Sequence, residues 1–495
     1  MAHPECEERI RTSWTQCQPI GSPMFCLFEK IKRCRMDLVA WSRYTFGNTR
    51  DRLNAKQGEL EKLRVVGFGE NLDKINEVQR EINDHLHHEE VFWCQQSRSI
   101  WLLAGDKNTK YFHQRVSQRR RKNTIEGLHD LNGVWCTNTG EIAAITEAYY
   151  KGLFTASTEL SMEDVLTSVD SVVTEEMARS LTCSYTEDEV QADLFQKHPF
   201  KSLGPDDMSP FFFQKFWHVV GQDVTTAVLS VLHSGRYLHK MNYTHIVLIP
   251  KKKDPQLITE YHPISLGNVV SRIISKVLAN RVKPILSKVI SDSQSAFVPD
   301  RLITDNTSVA YEMIHRMQNR QGGKVRHMAI KLKAYDRVEW EFLEKIMLRI
   351  GFLEQWVNLA MLTVHTASYS IIINGEPCGY ISPSRGIKQE DPLSPYLFLF
   401  CVEGLSSLLR KATETRHLKG LTSCQGGVRI SHLLFADGSL LFSEAKMDEC
   451  HRLMEVHIQY KKASGQVINC QKTALFFSRN TRREVQENIW SMFGA

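Results

Sequence analysis

His432-LLFADGSLL-Phe442 carries the strongest structural signal in the chain. Two apolar runs flank Asp437-Gly438, a dipeptide suited to a two-residue hairpin because glycine accepts positive φ at little cost. The runs are short and rich in Leu and Phe, so they read as two strands joined at that turn. A carboxylate is thereby set at a hairpin tip. A further apolar strand, Met328-AIK-Leu332, runs straight into Lys333-AY-Asp336. Asp336 and Glu339 have the spacing of a capping box, opening a helix with Trp340, Leu343, Ile346 and Met347 that closes at Gly351. Strand and helix patterns mix along the chain, which predicts an α+β fold.

Working outward, further blocks stand in a fixed order: His245-IVLIPKKKD, Tyr261-HPISLGNV, Ser293-QSAFVPDRLITDN, Ser384-RGIKQEDPLSPYLF and Ser464-GQVINCQKT. With the hairpin and the Lys333 block they resemble the fingers and palm of LINE-type (non-LTR retrotransposon) reverse transcriptases. Upstream, Trp93-CQQSRSIWLLAGDKNTKYFH resembles the segment that joins endonuclease and polymerase in plant members. The resemblance implies an antiparallel palm sheet backed by helices, mixed fingers and a helical N-terminal extension. It also implies an RNA-directed DNA polymerase that takes an RNA template and a DNA primer.

Nucleotide addition is an in-line displacement at phosphorus, usually run by two divalent metals about 3.5–4 Å apart. Mg²⁺ is a hard cation that takes oxygen ligands, so such a palm offers carboxylates from neighbouring strands. In the family, an Asp-x-Ser triplet between the first strand's Leu and Lys supplies one, and two adjacent Asp in the hairpin supply the others. Here the triplet is missing, and counting back five from Tyr335 reaches Ile330. Loss of an odd number of residues near a strand end tends to turn neighbouring side chains to the opposite face. Gly438 stands in place of the second hairpin Asp, so Asp437 alone survives and the metal site is incomplete. Asp336 matches a downstream family Asp and reads better as a helix cap.

Other departures add acid or remove a cation. Glu390 replaces a Gly where backbone approaches nucleotide and template, and a carboxylate beside phosphates repels by about 1 kcal/mol per pair in high dielectric. His262 replaces an Arg, and Asp300 and Asp207 each replace a Gly. The expectation is a copy that is catalytically dead or strongly impaired yet able to bind nucleic acid. An active polymerase and a functionless remnant are the competing readings.

Several site positions survive. Tyr335 resembles the residue that packs under the sugar, and Gln389 and Arg385 resemble nucleotide- and template-side contacts. Lys251 resembles a fingers cation on the triphosphate, though Lys251-Lys-Lys253 reads equally as a solvated turn. Lys472 resembles a palm lysine acting as general acid to the leaving group. Arg301 follows the altered Gly position and is a nucleic-acid candidate. Independently of the family, Arg119, Arg120, Arg121 and Lys122 lie near Tyr111, Phe112 and His113, a pairing of cations with aromatics suited to phosphates and bases. A nuclear-import signal and a charged loop compete for that cluster.

Composition sets the frame. The 495 residues are 42% hydrophobic and 24% charged, with a formal net charge of +6, which permits a nucleic-acid partner without demanding one. The twelve cysteines form no CxxC pair and no zinc spacing, pointing to reduced thiols. The N-terminus is charged, without signal-peptide character. The most apolar stretch, Tyr396 to Leu409, carries Glu403 and is too short to span a bilayer. Nucleus or cytoplasm is the expected location. Four zones are predicted: a helical extension 1–113, a connector with the basic cluster 114–195, fingers and palm 196–478, and a truncated thumb start 479–495. In the first zone, Leu53 to Leu86 recur at helical spacing around Gly67 and Gly69, predicting a helical hairpin anchored by Trp93 and Trp101. An upstream endonuclease and complete downstream domains are expected to be missing.

Overall fold

Helix α1 (Glu5–Gln16) and helix α2 (Pro23–Phe46) present Ile10, Trp14, Leu27, Ile31 and Cys34 as one buried face. Ser22 starts α2 by accepting a hydrogen bond from the Phe25 amide, with Pro23 in the first turn, where a missing N–H costs nothing. The structure is a computed structural model that describes residues 3, 5–47, 49–66, 71–97, 109–158, 160–319, 326–333, 337–422, 428–467 and 473–493. The α1–α2 pair lies in the main core, against helix Trp217–Ser234. There the Trp14 indole N–H and the Lys30 ammonium both donate to Asp223, each at 2.7 Å.

The predicted helical hairpin is present as α3 (Thr49–Val66) and α4 (Leu72–Ser97), closed around a separate cluster of Leu53, Leu60, Ile75, Val78 and Ile82. Residues 1–113 thus divide into two differently packed pairs. Helix α5 (Thr109–Asn123) buries Phe112 and sets the His113 ring 3.5 Å from that of Trp93. Gly67, Gly69 and Trp101 lie outside the described residues.

Twelve strands follow among the described residues: β1 (Leu128–His129), β2 (Trp135–Cys136), β3 (Tyr243–Pro250), β4 (Tyr261–Gly267), β5 (His327–Lys333), β6 (Ser368–Ile373), β7 (Glu376–Ile381), β8 (Leu421–Thr422), β9 (Arg429–Ile430), β10 (His432–Phe435), β11 (Gly438–Glu444) and β12 (Ala474–Phe477). One four-stranded sheet runs β4-β3-β6-β7, with β3 and β6 parallel. The other runs β10-β11-β5-β12 and is antiparallel throughout. It is backed by helices Trp340–Ile350, Ser394–Glu414 and Met447–Ser464, whose buried faces meet in the main core.

Residues 114–195 are built into the body more deeply than a connector. Ile125, Leu128, Ile142 and Tyr150 share a core with Ile246, Leu248 and Tyr369 of the first sheet. Val165, Leu181, Val190 and Leu194 enter the main core. Residues 181–189 are held by Arg281, whose guanidinium donates to the Leu181 and Ser184 carbonyls and to Glu189 and lies 3.7 Å over the Tyr185 ring. Charge on the outer face hid this packing from a composition reading. At the other end, helix Arg483–Phe493 buries Ile489 and Phe493. No helix among the described residues is long and apolar enough to cross a membrane.

Candidate active site

The hairpin forms, but its turn lies one residue earlier than expected. Phe435 pairs with Gly438, so the two turn residues are Ala436 and Asp437, and Ala436 takes a φ of 50°. Gly438 is instead the first residue of β11, paired on its other side with Lys333 of β5. Continuing both ladders gains backbone bonds and keeps Phe442 buried, which outweighs the modest strain at Ala436. A neighbouring segment braces the turn. Gln294 bridges to Leu434, and its side-chain Oε1 accepts from the Ala436 amide at 3.2 Å. Asn306 donates to the Leu434 carbonyl at 2.8 Å.

The register answers what stands beside Asp437. β5 pairs with β11 residue by residue from His327 opposite Glu444 to Lys333 opposite Gly438, with no break. β5 therefore stays in one continuous register with β11 up to Lys333. The residue following Leu332 is Lys333, and Ile330 sits three pairs further on, opposite Leu441. A lysine thus holds the ladder position next to the turn where a metal-binding acid would be needed. Among the described residues no group of three His, Cys, Asp or Glu side chains is arranged to hold a metal ion. Among the described residues, the donor set does not fit the two-metal chemistry of the family.

The capping box also resolves differently. Helix Trp340–Ile350 is capped at Glu339 itself, without a side-chain cap bond, and it closes at Gly351 with φ 107°. Glu339 is buried, and its Oε1 accepts from Ser157 Oγ at 2.8 Å and from Arg385 at 3.3 Å. A buried carboxylate takes the strongest donor in reach, here a guanidinium from another segment. Asp336, Tyr335 and Lys472 lie outside the described residues.

That pairing reassigns Arg385. Its guanidinium donates to the Leu153 and Gly152 carbonyls, to Ser157 and to Glu339, so it fastens the end of helix Thr139–Phe154 and is not open to nucleotide. Arg301 is likewise structural. Its two terminal nitrogens donate to the carbonyls of Ser287, Ile290, Ser291 and Gln294 and to Asp292. The Lys251 ammonium, exposed on the turn after β3, donates to the Thr259 carbonyl at 2.8 Å. Gln389 is half-buried with its Oε1 enclosed and accepting no hydrogen bond among the described residues. Arg119, Arg120, Arg121 and Lys122 are all exposed on the last turns of α5, where cations also suit the helix dipole.

The three acids that replace glycines share one property. Asp207, Asp300 and Glu390 have φ of 54°, 62° and 66°, a left-handed conformation that favours glycine. The backbone still makes glycine's turn, with a β-carbon imposed on it.

Sequence reasoning missed a cluster of charges between β4 and residue 391. Arg272, on helix Val269–Val282, is buried with no hydrogen bond or ion pair from its guanidinium among the described residues. Burial lowers its pKa, against the charges of Asp391, Asp206 and Glu390. Burial also brings Lys197 down to about 7 and Lys388 to about 8, and pushes Asp206 up to about 7. The available signal was a single Arg in the apolar run Val269-VSRIISKVL-Ala279.

Comparison with known proteins agrees with this architecture. Residues 249–488 match the family described as reverse transcriptase (RNA-dependent DNA polymerase). The chain is 26% identical over 381 residues to the transposon TX1 uncharacterized 149 kDa protein of Xenopus laevis, covering 76% of this chain and 28% of that protein. It is 25% identical over 245 residues to a retrovirus-related Pol polyprotein from a type-1 retrotransposable element R2 of Nasonia vitripennis, covering 50% of this chain and 22% of the relative. Over 66 residues it is 56% identical to an uncharacterized mitochondrial protein of Arabidopsis thaliana, covering 13% of this chain and 54% of that one. Fold and matches together define a reverse transcriptase domain. Its relatives in these comparisons are named as proteins of transposon TX1 and retrotransposable element R2, and the chain is similar to them. The chain spans less than a third of the length of the TX1 and R2 relatives.

Proposed function

We propose that this chain binds an RNA template and a DNA primer on a reverse transcriptase scaffold without extending the primer. The observation that carries this reading is the β5–β11 register, which pairs Lys333 with Gly438 beside Asp437. Phosphoryl transfer at a two-metal centre needs several acidic oxygens to hold the cations. Lysine and glycine supply none, so Asp437 alone cannot assemble the centre. Mg²⁺ remains the metal the family would use.

Binding is supported separately. The exposed Arg119–Lys122 turn offers cations that neutralise backbone phosphates and release counterions. Tyr111 and His113 are half-buried on the same helix. A location in nucleus or cytoplasm suits this role.

The test measures binding and extension on one preparation. Fluorescence polarisation of a labelled RNA–DNA primer–template is expected to show binding that weakens steeply with salt. Poly(rA)/oligo(dT) extension with Mg²⁺ or Mn²⁺ is expected to show no incorporation. Insertion of Asp-Met-Ser between Leu332 and Lys333, with Gly438→Asp and Glu390→Gly, is expected to restore extension. Among the described residues, a β-carbon at Gly438 would meet only the Phe435 carbonyl oxygen, at 3.3 Å, so that change fits with a small local adjustment. Efficient extension by the unrepaired chain would refute the proposal.

A further inference from the structure

A cavity of about 330 Å³ opens where helix Ile303–Asn319, strand β12 and helix Arg483–Phe493 meet. Met317, Gln318, Phe476, Arg479, Gln486 and Trp490 are among the residues that line it. Among the described residues β12 is an edge strand paired only with β5, and the β5 residue opposite Phe476 is Ala329. A methyl group cannot cover a phenyl ring, so Phe476 stays 40% exposed. Helix Arg483–Phe493 anchors itself by burying Ile489 and Phe493. Gln486 and Trp490, four residues apart, share the neighbouring face that borders the cavity. Trp490 stays 38% exposed there.

The polar groups of the cavity stand on a firm turn. The Ser478 amide donates to the His327 carbonyl at 2.9 Å, and Ser478 Oγ accepts from the His327 amide at 3.0 Å. Gln486 Nε2 donates to the Thr481 carbonyl at 2.9 Å, which leaves its Oε1 without a hydrogen bond among the described residues. Gln318 and Arg479 are exposed, and neither side chain makes a hydrogen bond or ion pair among the described residues. Further along, Arg483 pairs with Glu487 at 3.1 Å, so Arg479 and Arg482 outnumber the one remaining acid of this stretch, Glu484. Two exposed rings, a cation and open amides around one cavity suit a nucleotide. Rings stack on bases of any sequence, amides bond base edges, and a guanidinium meets phosphate. The volume lies at the lower end of small-ligand sites, about 300–1,000 Å³.

We propose that this cavity holds an unpaired nucleobase of a single-stranded nucleic acid, stacked on Trp490 and Phe476, with the adjoining phosphate on Arg479. The site rests on the nucleic-acid reading above and extends it, because it uses none of the lost acids. Phe477 pairs with Met328, five residues along β5 from Lys333. At about 3.4 Å per residue the cavity lies about 17 Å along the sheet from the Asp437 turn. A strand held there is gripped away from the place where extension would occur.

Fluorescence polarisation of a short labelled oligo(dT), and of an abasic strand of equal length, on the full chain tests the pocket. The parent is expected to hold oligo(dT) at least about fivefold more tightly than the abasic strand, the lower end for one base stack. Trp490→Ala is expected to remove most of that preference and Trp490→Phe to keep it, a pattern that loss of packing alone would not give. Phe476→Ala, on a separate element, provides the same readout if Trp490→Ala does not fold, as judged by circular dichroism. Arg479→Gln is expected to lower the salt slope by about 0.7, the value for one phosphate contact on a single strand. Oligo(rU) in a parallel series identifies the strand as RNA or DNA. The pocket is refuted if the parent shows no preference for bases, or if the folded Trp490 and Phe476 variants keep it in full. A concentration-dependent dimer that Trp490→Ala dissociates, with oligonucleotide binding unchanged, gives the cavity to a second copy of this chain and refutes it equally. Primer–template binding without a base preference removes the pocket alone. Base-dependent oligonucleotide binding without primer–template binding removes the primer–template reading alone.

Discussion

Replacing Glu390 with glycine should make the protein more stable, although it deletes a side chain. Glu390 holds φ at 66° on an exposed turn, with no hydrogen bond or ion pair from its carboxylate among the described residues. A β-carbon in this region costs about 1–2 kcal/mol. Glycine gives back about 0.4–1 kcal/mol through its freer unfolded chain, leaving a net gain of about 0.5–1 kcal/mol for Glu390→Gly. Two internal comparisons sharpen the expectation. Asp300→Gly should gain only a few tenths, since aspartate enters the left-handed region more readily than glutamate. Asp207→Gly should be near neutral, because it also loses the exposed pair with Arg35 at 3.2 Å, worth roughly 0–1 kcal/mol. Urea unfolding followed by fluorescence gives the midpoint shift of the three variants at constant slope. Destabilisation by Glu390→Gly, or a gain at Asp207 larger than that at Glu390, would refute the strain argument.

Arg385→Ala leaves Glu339 buried and unpaired and should cost about 3–5 kcal/mol, read as a drop in thermal midpoint; unchanged stability would return Arg385 to the list of ligand contacts. Asp206 has its pKa raised from 3.8 to about 7 by burial, so its folded form keeps the proton better than its unfolded form. Its contribution is fully present below pH about 4 and is lost as pH rises through 7. Asp206→Asn should therefore match the parent at pH 4 and exceed it at pH 8 in denaturation midpoint, and a constant difference would contradict the assignment. Asp223→Ala removes the acceptor shared by Trp14 and Lys30 and should cost about 1–3 kcal/mol. Limited proteolysis should then release α1 and α2 first; cleavage confined to other segments would argue against their docking in the core.

Much of the fold was legible because it is local. The apolar runs around Asp437 and the helix closed by Gly351 each bury one face, and that periodicity is written in consecutive residues. The α3–α4 hairpin was legible for the same reason. The turn was misplaced by one residue, since a dipeptide preference is small beside two continuous ladders. The site was legible in part: the losses at Gly438 and after Leu332 are facts of sequence, whereas Lys333 as the partner of Gly438 is a fact of register.

Arginines mark the division most clearly. Arg119, Arg301, Arg385 and Arg272 are the same residue in sequence, with the same charge and donors. Sequence alone determined the family of folds, the order of its blocks and which acids are missing. Tertiary structure decided which guanidiniums face solvent, which bind carbonyls and which is buried with no partner among the described residues. A guanidinium's role depends on the acceptors within about 3 Å of it, and those acceptors come from segments far away along the chain.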